Sequence, residues 1–112
     1  MSLRGTREVR ENCQIFRLVG QLDAFSEPAL RKTLETFIDE GPNNIILVLA
    51  QIDFIDSSGL GALVQLVKKA KTAGGKLLIV TNPRVTQTVK LVRLEKFLSL
   101  QTDLESALNA IK

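Results

Sequence analysis

The spacing of apolar positions changes several times along the chain, and each change marks an element. Ile45-Ile46-Leu47-Val48-Leu49-Ala50 is a continuous apolar run, the pattern of a strand covered on both faces. After a short polar interval, Leu60, Leu63, Val64, Val67 and Ala70 recur at helical spacing. They predict a helix over 60–73, stopped by Gly74-Gly75. Upstream, Val9 and then Ile15, Phe16, Leu18 and Val19 give strand-like content to about Thr6–Asn12 and Gln14–Gly20, read as two antiparallel opening strands. Ser26 stands as an N-cap before Glu27 and Pro28, and Leu30, Leu34, Phe37 and Ile38 form the stripe of a first helix that Gly41-Pro42 ends.

Lys76 opens a further strand, Leu77–Val80, and Pro83 begins a third helix with Val85, Val89 and Val92 inward. A short extended piece follows around Phe97-Leu98. Thr102 and Glu105 then make a capping box for a last helix with Leu104, Leu108 and Ile111 inward. Strands alternating with helices need crossover connections, which are right-handed and give parallel pairs. The predicted fold is therefore α/β, a mixed and mostly parallel sheet of about five strands with about four helices. A length of 112 residues and an apolar fraction of 45% suit one domain, 1–112, with its core over about 6–111. Leu91, Val92, Leu94 and Phe97 cluster near the third helix and are assigned to core packing ahead of a partner-binding patch.

Composition narrows the chemistry. The chain has no histidine and one cysteine, Cys13, which excludes a His-based triad, a zinc centre and an internal disulfide. Cys13 is read as an inert thiol, since no basic neighbour at suitable spacing would lower its pKa. No apolar stretch approaches the roughly 20 residues that span a bilayer, and the N-terminus lacks the apolar core of a signal peptide, so a cytoplasmic protein without membrane insertion is expected. The net charge is +3, but it is unevenly placed. Asp23, Glu27, Glu35, Asp39, Glu40, Asp53 and Asp56 face only Arg31 and Lys32 in the first half, whereas Lys68, Lys69, Lys71, Lys76, Arg84, Lys90, Arg93 and Lys96 face only Glu95 further on. Two surfaces of opposite sign would follow if the fold separates the segments. Direct nucleic-acid binding is not expected, because the five aromatic residues are all phenylalanine and none interleaves the lysines as a stacking platform would.

The polar interval between the central strand and helix is Asp56-Ser57-Ser58-Gly59-Leu60-Gly61. It lacks the lysine of a phosphate-gripping loop and the glycine and base of a nucleophile elbow. Two readings remain. Ser57 or Ser58 caps the helix while Asp56 bonds its own turn, or a serine is presented where the unpaired N–H groups and positive dipole end of a helix would receive a phosphate.

Gly20-Gln21-Leu22-Asp23, Glu40-Gly41-Pro42, Phe54-Ile55-Asp56-Ser57-Ser58-Gly59-Leu60-Gly61 and Gly74-Gly75-Lys76-Leu77-Leu78-Ile79-Val80, in this order, resemble the successive landmarks of the STAS family, over roughly Val9 to Ile111. Within it the chain is most similar to stand-alone bacterial anti-sigma factor antagonists. The resemblance implies partner switching. The unmodified antagonist binds an anti-sigma factor and frees a sigma factor. That anti-sigma factor, a serine kinase using ATP and magnesium, phosphorylates the antagonist and breaks the complex, and a PP2C-type phosphatase restores it. It further implies Ser58 as phosphoacceptor, with Asp23, Asp56, Ser57, Gly59, Leu60 and Gly61 as its environment and partner-binding surface. No catalytic residue, metal or cofactor of the chain's own is implied; the chain is a kinase substrate.

The resemblance leaves a second role open, as a scaffold module in a signalling complex or an accessory subunit of a lipid ABC transporter. Three features depart from the family pattern. Val48 stands where many members carry an acid or amide, Ala50-Gln51 replaces a polar pair such as Ser-Gly, and the 68–96 segment is more basic than expected, which leaves open a different or additional acidic partner.

Overall fold

The computed structural model describes residues 2–111; Met1 and Lys112, the ends of the expected domain, lie outside the described residues. The elements follow in the order β1 (Leu3–Val9), β2 (Gln14–Leu22), α1 (Glu27–Glu40), β3 (Ile45–Ile55), α2 (Ser57–Thr72), β4 (Leu77–Val80), α3 (Pro83–Leu91), β5 (Ser99–Gln101) and α4 (Leu104–Ile111). One five-stranded sheet has the order β1-β2-β3-β4-β5, with β1 antiparallel to β2 and all other pairs parallel.

This order explains the layering. From β2 onward each strand is laid beside the previous one in the same direction, and successive right-handed crossovers then place α1, α2 and α3 on one face. Phe16, Leu22, Leu47, Leu49 and Ile79 of the strands pack there with Leu34 and Ile38 of α1, Leu63 and Leu66 of α2, and Val85 and Val89 of α3. Among the described residues only α4, beyond the last strand, reaches the opposite face, where Ala107 packs with Cys13, Ile15, Ile46, Leu78 and Val80. Burial raises the pKa of the Cys13 thiol, so its thiolate is disfavoured.

Several expected boundaries shift. The first strand begins at Leu3 and ends at Val9, because its pairing runs from Leu3 opposite Gly20 to Val9 opposite Gln14. The central strand does not stop at Ala50 but continues to Ile55, paired with β2 on one side after its β4 partners end at Val48. The Ser26 side chain does not cap α1. Helix α4 is capped by Asp103, whose Oδ1 accepts the Ser106 N–H at 2.8 Å, and not by the Thr102–Glu105 pair. That bond holds the Asp103 carboxyl below its ordinary pKa. The fifth strand starts just after Phe97-Leu98.

The cluster assigned to the core is largely outside it. Helix α3 ends at Leu91, Val92 forms its C-cap and Arg93 turns the chain at φ 59°, so Leu91 (76% exposed), Val92 and Phe97 face solvent while Leu94 is partly buried. The two charged segments meet where α1 and α2 adjoin. Helices α1 and α2 pack against each other, and Lys69 Nζ lies 2.7 Å from Asp39 Oδ1. Among the described residues no helix is long and apolar enough to cross a membrane.

Candidate functional site

Parallel neighbours β2 and β3 deliver their outgoing loops to the same edge of the sheet, side by side. The loop after β3 is the turn into α2. Asp56 has extended backbone (φ −112°, ψ −173°) and is the N-cap: its Oδ1 accepts the Gly59 N–H at 2.9 Å, and its carbonyl accepts the Leu60 N–H at 2.9 Å. Ser57 and Ser58 are the first two residues of the helix, so their backbone N–H groups have no intrahelical acceptor and sit at the positive end of its dipole. With the carboxylate serving as cap, neither hydroxyl is needed for that purpose. Ser57 is exposed and Ser58 half-buried.

The two loops are tied together. The Asp56 N–H donates to the Leu22 carbonyl at 3.3 Å. A Cβ built on Gly59 would lie 2.4 Å from that carbonyl oxygen and 2.9 Å from Leu22 Cγ, so only glycine lets α2 approach the end of β2 this closely. Gly61 is different: it is exposed, and a Cβ there would meet nothing within 4 Å. Leu60 points into the core beneath the turn.

Asp23 lies in the loop after β2, as expected, but it is 3% exposed. Its Oδ1 accepts the N–H groups of Phe25 (2.9 Å) and Ser26 (3.0 Å), and its carbonyl accepts the Glu27 N–H at 2.9 Å. Ser26 Oγ completes the loop, accepting from the Asp23 N–H at 3.0 Å and donating to the Gln21 carbonyl at 2.8 Å. Asp23 Oδ2 is buried with no hydrogen-bond partner among the described residues.

Sequence reasoning missed Asn82. Beyond Val48 the β4 side of β3 has no strand partner, and there the Asn82 amide Nδ2 lies 3.2 Å from the carbonyls of Leu49 and Ala50 and 2.9 Å from that of Ile52. Its Oδ1 caps α3 through the Val85 N–H at 2.8 Å. One side chain thus braces the overhanging strand that carries the turn; an asparagine just before Pro83 was the available signal. Val48 packs with the α4 layer on the far side of the sheet, and Ala50 and Gln51 are exposed, so these departures lie upstream of the turn and not against Ser58. Phe25, exposed in the loop after β2, and Phe54, exposed near the end of β3, were also not singled out.

The STAS domain describes residues 6–107 of the chain. The chain belongs to the STAS family. An anti-sigma F factor antagonist of Paenibacillus polymyxa is 27% identical over 114 residues, covering 100% of this chain and 97% of that protein. Among solved structures, an anti-sigma factor antagonist from Mycobacterium paratuberculosis superposes with a TM-score of 0.84 at 23% identity, over 98% of this chain and 94% of the other. SpoIIAA, an anti-sigma factor antagonist, superposes in its unphosphorylated form with a TM-score of 0.73 at 20% identity (96% of each chain) and in its phosphorylated form with 0.72 at 22% (97% and 100%). At these identities the structures establish the STAS fold. The named relatives are anti-sigma factor antagonists.

Proposed function

We propose that the chain is an anti-sigma factor antagonist, switched by phosphorylation of Ser58. Its unmodified form binds a serine-kinase anti-sigma factor and releases a sigma factor; phosphorylation ends that binding, and a PP2C-type phosphatase restores it. The observation that carries this reading is the division of labour in the turn: Asp56 takes the capping role, leaving a serine hydroxyl free at the first turn of α2, on a backbone fixed by Leu22 and Gly59. The resemblance of the Asp56–Gly61 motif selects Ser58 over Ser57.

A phosphoserine brings about −1.5 to −2 charges at neutral pH. The free N–H groups and dipole of α2 stabilise that charge while the chain is alone in water, so the fold itself is not disturbed. A partner packed over the turn must desolvate it. A loss of about 3 kcal/mol, modest for an uncompensated charge at an interface, weakens binding roughly a hundredfold. The test is incubation with the candidate kinase and ATP followed by site mapping; modification absent, or confined to residues outside the turn, overturns the reading.

A further inference from the structure

Phe25 is the most exposed large apolar side chain among the described residues, at 86%. An isolated apolar residue on a surface is ordinary, but the setting of this one is not. A groove of about 500 Å3 and mixed character opens between β1 and α1, lined by Leu3, Phe16, Leu30 and Phe37 but also by Arg4 and Arg7, and Phe25 borders it with most of its surface left in solvent. The residue is held by a loop closed on itself: the buried Asp23 carboxylate accepts its N–H and that of Ser26, and Ser26 Oγ ties the loop back to Asp23 and Gln21. A carboxylate is costly to bury, and here it fixes a short loop whose one large apolar side chain points to solvent.

That loop abuts the serine turn. Leu22, just before Asp23, accepts the Asp56 N–H and contacts the space above Gly59, so Phe25 and Ser58 belong to adjacent loops at one edge of the sheet. A rigid aromatic presented on a preorganised loop has the character of an interface hot spot, because little entropy is lost when it docks.

We infer that Phe25 is the anchor by which the chain engages its serine-kinase partner, inserting into an apolar pocket beside the kinase's active-site cleft, and that Asp23 is a positioning residue acting through Phe25. The inference rests on the proposed function and adds to it a second contact, distinct from the phosphoacceptor. It assigns to Asp23 a role as hydrogen-bond acceptor in place of a charge facing the phosphate.

The experiment is a double-mutant cycle on the full chain, titrated against the kinase found to modify Ser58, with the nonhydrolysable ATP analogue bound. Phe25→Ala should weaken binding about thirtyfold at unchanged melting temperature, as for a central aromatic hot spot. Asp23→Asn keeps the Oδ1 acceptor and should bind within about threefold of wild type, while Asp23→Ala should weaken binding about tenfold alone but less than twofold when Phe25 is already alanine. Wild-type affinity of Phe25→Ala overturns the inference, as does an Asp23→Ala penalty of equal size in both backgrounds. A change confined to self-association, with kinase binding intact, overturns it too and assigns the ring to a contact between copies. Should Asp23→Ala fail to fold, Phe25→Ala and Asp23→Asn still decide. Ser58 phosphorylation of the wild type, measured in parallel, reports on the antagonist reading separately.

Discussion

The backbone N–H of Asp56 donates to the carbonyl of Leu22 across 3.3 Å, joining the loop that follows β2 to the turn that follows β3. Gly59 makes that approach possible, since its absent Cβ would fall 2.4 Å from the same carbonyl oxygen and 3.0 Å from Ile55 Cγ1. Gly59→Ala is expected to cost about 2 kcal/mol through forced separation of α2 from β2. Urea denaturation of the purified chain checks this; an unchanged midpoint would show that the turn tolerates the shift.

Gly61 carries the opposite expectation. It is exposed near the start of α2, three residues after Ser58 and therefore on the same helical face, with nothing near its missing Cβ. Glycine there costs the helix about 0.5 to 1 kcal/mol relative to alanine. Gly61→Ala should raise the melting temperature, whereas Gly61→Leu, which places a branched chain beside the acceptor hydroxyl, should slow phosphorylation of Ser58. Thermal melts and initial kinase rates measure the two effects independently.

Asp56 is a cap whose geometry depends on an acceptor oxygen. Asp56→Ala should lose about 1 kcal/mol, and Asp56→Asn, which keeps an oxygen for the Gly59 N–H, should lose much less. Comparing the two by chemical denaturation separates capping from charge.

These residues show where reading the sequence succeeds. Among the described residues periodicity located eight of the nine elements, because the apolar spacing switches cleanly between continuous runs and helical stripes, as at Ala50 and Leu60; the short extended piece read at Phe97-Leu98 falls in the turn before β5. It misplaced the end of β3 because residues 51–55 alternate poorly: Gln51, Asp53 and Phe54 are exposed, and pairing with β2 extends the strand where local pattern does not. Caps were harder. Ser26 and Thr102 have the right residue types, but the acceptors in those loops are Asp23 and Asp103, and only the folded backbone decides which side chain reaches an N–H. The serine turn was legible as a motif; the burial of Asp23, the brace at Asn82 and the outward ring of Phe25 depend on contacts between segments far apart in the chain.

Asn82 supplies a test of how the turn is supported. Asn82→Ala removes the α3 cap and leaves the carbonyls of Leu49, Ala50 and Ile52 without that donor, for an expected loss of roughly 2 to 3 kcal/mol. Asn82→Asp keeps the cap acceptor but turns a carboxylate oxygen toward those carbonyls. That variant should therefore be less stable than wild type although its cap is retained, by about 1 to 2 kcal/mol. Urea denaturation of the two variants measures both deficits, and wild-type stability of Asn82→Asp would refute the bracing role.

Binding of the serine-kinase anti-sigma factor to the chain before and after stoichiometric phosphorylation, with the modified residue mapped in the same sample, tests the switch at Ser58 most directly. The expected result is a single phosphate on Ser58 and a dissociation constant raised about a hundredfold or more, with Ser58→Ala binding as tightly as the unmodified chain. Equal affinity of the Ser58-phosphorylated and unmodified forms would overturn it.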